Sequence, residues 1–117
     1  MAYDPDNVFA RILRDELPSE RVHEDDEFVA FRDVSPQAPI HIVLVPRRPG
    51  VASPDDLTEA DAPWLGRMLA VAPRIAREQG LAAGGYRLIM NCGSDGGQTV
   101  PHLHLHILGG RPLGALG

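Results

Sequence analysis

A chain of 117 residues, 44% of them apolar, is sized for one domain with one core, so residues 1–117 are expected to fold as a single unit. The net charge of −5, carried against eleven arginines and no lysine, disfavours a nucleic-acid surface, and no apolar run approaches the ~18 residues of a membrane span. The one cysteine, Cys92, leaves no internal disulfide framework and fits a reducing cytoplasmic setting, and the acidic start of the chain lacks the apolar stretch of a secretory leader.

Residues 7–16 read as a short helix. Asp4 and Asp6 are candidate caps, Phe9, Ile12 and Leu13 form an apolar stripe, and Pro18 is the stop. Residues 20–23 are a weak strand candidate. Residues 27–34 alternate, with Phe28, Ala30 and Arg32 on one side and Val29, Phe31 and Asp33 on the other. The acidic run before them, residues 24–27, reads as a solvated turn. Residues 35–39, rich in proline, form a turn, and residues 41–45, dense in β-branched residues, form a central strand closed by Pro46.

After a polar loop comes the longest helix, residues 63–79. Pro63 suits its first turn, Gly80 suits the position past its end, and Pro73 inside it should kink it. Its expected core face is Leu65, Met68, Leu69, Ala72, Ile75 and Ala76. Strands follow at residues 86–91 and 103–108. Short strands joined by turns, with one short and one long helix, give an α+β domain with a mainly antiparallel sheet.

The last strand carries the most informative pattern, His102-Leu103-His104-Leu105-His106. Strand side chains alternate faces, so Leu103, Leu105 and Ile107 should enter the core while the three imidazoles share the other face. Imidazole titrates near neutral pH and can serve there as nucleophile, base or acid. Three readings of the row stay open. It could be an ordinary polar strand face. It could hold a metal, although His102 and His106 would lie roughly 13 Å apart at about 3.3 Å per residue, so His41 would have to add a ligand from another strand. Or it could be catalytic, because the loop before it offers what a phosphate needs: glycines at 93, 96 and 97 for close backbone approach, hydroxyls on Ser94 and Thr99, and the amides of Asn91 and Gln98. With no lysine, a Walker-type loop and a Schiff-base site are both excluded.

The row, read as His-φ-His-φ-His-φ-φ with φ apolar, resembles the histidine triad signature. The string from Asn91 to Pro101, Gly109-Gly110-Arg111 after the row, residues 31–41 and residues 8–13 are all similar to the Hint branch of that family, the purine nucleoside phosphoramidases. The resemblance implies a histidine triad fold, a homodimer, and hydrolysis of nucleoside 5′-phosphoramidates without a cofactor or metal; a purine nucleoside monophosphate or its phosphoramidate would be the bound partner. By the same resemblance His104 would be the nucleophile, His106 would bind phosphate, and His102 and His41 would orient the site. Asp33 would take the ribose hydroxyls; Phe9, Ile12, Phe31 and Val34 would line the base pocket; Asn91, Gly97, Gln98 and Thr99 would sit around the phosphate. Thr99 stands where the branch commonly has serine, Cys92 replaces an acid, and the tail, residues 112–117, expected to be extended, lacks the tryptophan-containing ending of the family's animal members. Two further readings remain within reach of the same residues: a dinucleoside polyphosphate hydrolase of the Fhit type, and a nucleotide-binding module without turnover.

Overall fold

The first helix, α1 (Val8–Leu13), starts at Asn7, whose side chain accepts from the Ala10 N–H. Asp4 supports the cap from outside, its carbonyl accepting from both the backbone and side-chain N–H of Asn7. Asn7, rather than either aspartate, is therefore the capping residue. The helix ends well before Pro18: Asp15 adopts φ 61°, and the N–H groups of Asp15 and Glu16 return to Ile12 and Arg11. That pair of returning bonds is a Schellman closure, which satisfies the last carbonyls and turns the chain back across the sheet.

The computed structural model describes residues 1–116. Five strands, β1 (Arg21–Glu24), β2 (Phe28–Arg32), β3 (Ile40–Pro46), β4 (Tyr86–Ile89) and β5 (Leu105–Gly109), form one antiparallel sheet in the order β1-β2-β3-β5-β4. Two short 3₁₀ turns, Pro54–Asp56 and Glu59–Asp61, lead into the long helix α2 (Ala62–Glu78). The architecture is mixed α+β, as the sequence pattern predicts.

Helix α2 lies on one face of the sheet. Trp64, Met68, Ala72, Ile75 and Ala76 pack with Phe28, Ala30, Ile42, Leu44, Leu105 and Ile107. Trp64 joins this face, whereas Leu69 is 45% exposed and stays outside it. Pro73 sits in the helix without ending it. Its missing N–H would have bonded the carbonyl of Leu69, which lies on the watered side where solvent can replace the bond. Gly80, at φ 80°, and Leu81, bonded back to Ala76, close α2 by the same Schellman geometry.

On the opposite face Ile12 of α1 packs with Val29, Phe31, Val43 and Val45. Strands β2 and β3 are thus covered on both sides, which is why β3 reads as a continuous apolar run. Helix α1 covers only part of that second face, and the uncovered part lies over β3 and β5. After Arg111, residues 112–116 have no regular secondary structure; Gly117, the end of the expected extended tail, lies outside the described residues. Among the described residues, no helix is long and apolar enough to cross a membrane.

Candidate active site

Leu103, Leu105 and Ile107 are all buried, as period two requires. The ladder itself, however, begins only at Leu105. Ahead of it the Leu103 N–H bonds Val51 instead of a neighbouring strand, and Pro101 has no N–H to give. The three imidazoles consequently do not form one flat row on a strand. His104 and His106 face the open cleft, whereas His102 turns into the protein and is 1% exposed.

The hydrogen-bond partners assign each ring its tautomer. His104 Nδ1 lies 2.6 Å from the carbonyl oxygen of His102. A carbonyl can only accept, so Nδ1 carries the proton and Nε2 keeps a bare lone pair. His102 Nε2 donates to the carbonyl of Pro46 at 3.0 Å, which leaves its Nδ1 to accept from the Tyr3 hydroxyl at 3.1 Å and from Asn7 Nδ2 at 3.4 Å. His41 Nδ1 accepts the Gln37 backbone N–H at 3.0 Å, so the proton of that ring is on Nε2. Nε2 of His41 donates to His106 Nδ1 at 2.8 Å, with an oxygen of Asp33 at 3.4 Å from the same nitrogen. His106 is then protonated on Nε2. One ring of the pair in the cleft is a lone-pair donor and the other is a hydrogen-bond donor.

Burial holds all four rings neutral. Desolvation is the leading cause of the lowered pKa values of His41, His102 and His104. His106 is pushed down to about 4, by burial first and then by the neighbouring His104 and His41; the Asp33 carboxylate works the other way. A neutral His104 is what an attacking nitrogen requires.

The rings open onto a cavity of about 460 Å³, within the range of small-molecule sites. Phe9, Ile12, Leu17 and Phe31 form its apolar part, and the Phe9 ring stands 4.8 Å from His104 and 5.5 Å from Phe31, edge to face in both cases. Asp33, Gly97, Thr99, His104 and His106 line the polar end. Val34 borders the cavity while being 94% exposed.

Asn91, Gln98, His102 and His41 do not line the cavity. Asn91 Nδ2 donates to Gly96 O at 2.6 Å. Gln98 is buried: its amide donates to the carbonyls of Ala52 and Val100 and accepts the Gly93 N–H. These two side chains tie the glycine loop into shape. Gly93 and Gly97 adopt φ values of 71° and 81°, and a Cβ on Gly96 would stand 2.4 Å from the carbonyl oxygen of Cys92. Val8, Leu17, Pro18, Ser19, Arg32 and Val100 also border the cavity, although no sequence pattern assigns them to a site. The break at residues 17–19, just past the first helix, is the one signal that could have pointed to them.

A metal ion could also be held here. Asp33, His41 and His106 each offer a ligand atom, all within 4.8 Å of one another. The set takes one member of the histidine row and draws the other two from β3 and the end of β2, because Val43 pairs with His106 and His41 lies two residues away on the same side.

A family model described as "Scavenger mRNA decapping enzyme C-term binding" matches residues 6–112. The chain is 48% identical over 111 residues to the purine nucleoside phosphoramidase of Escherichia coli, covering 95% of this chain and 92% of that protein. Among solved structures, a histidine triad protein from Clostridium difficile superposes with a TM-score of 0.90 at 41% identity, covering 97% of this chain and 98% of that one. A HIT family hydrolase from Legionella pneumophila superposes at 0.86 with 42% identity, over 90% and 93% of the two chains.

Proposed function

The chain belongs to the histidine triad family of nucleotide hydrolases, and from that premise we propose that it cleaves purine nucleoside 5′-phosphoramidates through a nucleotidyl-histidine intermediate. The observation that carries this reading is the 2.6 Å contact of His104 Nδ1 with the His102 carbonyl, which leaves Nε2 unprotonated beside a donor, His106, in a nucleotide-sized cavity. His104 Nε2 bonds to phosphorus as the bond from phosphorus to the leaving nitrogen breaks; the leaving nitrogen takes a proton from solvent water and departs as the neutral amine, while the His104 ring keeps its Nδ1–H on the His102 carbonyl. Water then breaks the new bond to His104 and releases the nucleoside monophosphate. Splitting one displacement into two lowers each barrier. The His106 Nε2–H and the Thr99 hydroxyl supply donors for charge gathering on the phosphoryl oxygens, an effect typically worth about 3–4 kcal/mol per donor.

The nucleoside half occupies the slot of Phe9, Ile12, Phe31 and Val34, and Asp33 takes the ribose hydroxyls. Asn91 and Gln98 serve the phosphate indirectly by shaping the loop that carries Gly97 and Thr99. His102 and His41 orient His104 and His106. The assembly we propose is a homodimer, supported by the edge strand β4, which exposes Tyr86 and Leu88 at 37% and 38%. A cytoplasmic setting is supported by the exposed free thiol of Cys92.

Phosphorus NMR of adenosine 5′-phosphoramidate incubated with the protein tests the reaction. Conversion to adenosine monophosphate is expected. An unchanged spectrum, alongside cleavage of a diadenosine polyphosphate, would overturn it in favour of the polyphosphate reaction.

A further inference from the structure

The carbonyl that fixes the tautomer of His104 belongs to a residue outside the sheet. The ladder of β5 starts at Leu105, and His102 lies three residues ahead of it. Two backbone bonds hold the chain there: the His102 N–H on Val100 O at 2.9 Å and the Leu103 N–H on Val51 O at 3.0 Å. The remaining anchorage comes through the His102 ring. Its Nε2 donates to Pro46 O at the end of β3, and its bare Nδ1 faces residues 3–7, the segment ahead of α1.

Two groups approach that nitrogen. Asn7 Nδ2 stands 3.4 Å away, longer than an ordinary hydrogen bond, and has its short bond on Asp4 O at 2.7 Å. The Tyr3 hydroxyl is at 3.1 Å, and because Nδ1 carries no proton the phenol must donate. The Tyr3 ring also lies against the imidazole, with centroids 5.5 Å apart, and Phe9 closes another side at 6.4 Å. Tyr3 is itself steadied at the start of α1, where the Asn7 N–H bonds Asp4 O and Arg14 donates to Pro5 O at 2.7 Å. A phenol 99 residues away in the chain thus clamps the ring of the residue whose carbonyl accepts the His104 proton. Tyr3 does not border the cavity, so it makes no contact with what the cavity holds.

We propose that Tyr3 is a positioning residue: its hydroxyl locks the His102 ring against Pro46 and thereby holds the His102 carbonyl on His104 Nδ1. The inference rests on the nucleophile role proposed for His104 above. As His104 Nε2 bonds to phosphorus, the ring gains positive charge and its Nδ1–H bond to the carbonyl strengthens. A carbonyl free to drift is missed most at that moment, so the loss falls on kcat rather than on binding.

Tyr3→Phe keeps the ring and removes the donor. With adenosine 5′-phosphoramidate, kcat should fall about fivefold, the scale of one hydrogen bond, while the Kd of adenosine monophosphate by calorimetry stays within about twofold. Proton–nitrogen NMR of the imidazoles adds a readout that a general loss of stability would not move. In the folded variant the His104 Nδ1–H proton should shift upfield as its bond lengthens, and the His102 Nδ1 nitrogen should shift downfield as it loses its donor. An unchanged kcat, or a lower kcat with an unmoved His104 resonance, overturns the positioning role. So does a fall in kcat matched by an equal loss of nucleotide affinity. If the unaltered protein does not cleave the phosphoramidate, the reaction proposed above fails, and the two resonances still decide whether Tyr3 holds His104 in place.

Discussion

Four neutral imidazoles with assigned tautomers define the chemistry at the scale of single residues. His104→Ala removes the nitrogen proposed to attack and should lower turnover by about 10⁴-fold or more, with nucleotide affinity largely kept because the apolar slot is untouched. Stopped assays and calorimetry on the same preparation check both halves, and near-normal turnover would remove His104 from the nucleophile role. Asp33 raises the titration of His41 and His106 against the burial that lowers it. Asp33→Asn should therefore move both rings to still lower pKa, seen as downfield imidazole proton shifts that appear only at more acidic pH. It should also weaken adenosine monophosphate binding, the outcome that the proposed charge-assisted contact of Asp33 to the ribose requires. At this scale the sequence was legible where chemistry is carried by residue type, as in the row itself. It was not legible for His102, because its partners, Tyr3 and Pro46, lie 99 and 56 residues away.

Among the elements, the glycine loop and α2 make opposite demands on their residues. The loop needs absence of side chains: Gly96→Ala would drive a Cβ onto the Cys92 carbonyl and should cost about 1–3 kcal/mol while lowering kcat/KM, because Thr99 shifts with the loop. Helix α2 needs volume. Met68 is fully buried against the sheet, so Met68→Ala should destabilise by about 2–5 kcal/mol in urea titrations with little change in kcat of the folded fraction. The two changes separate loop geometry from core packing. Helix and strand positions were readable from periodicity and turn residues, including Gly80 at the end of α2. The capping by Asn7 and the closure at Asp15 were not, because Asp4, Asp6 and Asn7 are chemically similar caps and only the backbone path chooses among them.

For the whole molecule, burial of four histidines in the neutral form couples folding to pH. Their folded pKa values lie below the unfolded value of about 6.5, so between the two the unfolded chain binds protons that the folded chain refuses. Stability should accordingly fall as pH drops from 7 toward 5, read as a decreasing denaturant midpoint; a flat midpoint over that interval would contradict the buried neutral rings. The proposed assembly has its own check: light scattering should report twice 12.7 kDa, and Leu88→Arg on the exposed edge of β4 should return the mass to that of one chain. The sequence by itself determined the α+β class, the inward leucines and the presence of a glycine-rich loop beside histidines, because periodicity and residue chemistry are local properties. Tertiary structure alone decided which histidines face the cleft, which nitrogen of each ring is bare, and that the Tyr3 hydroxyl meets His102. Those depend on contacts between segments far apart in the chain, and no local pattern encodes which distant carbonyl a ring nitrogen will meet.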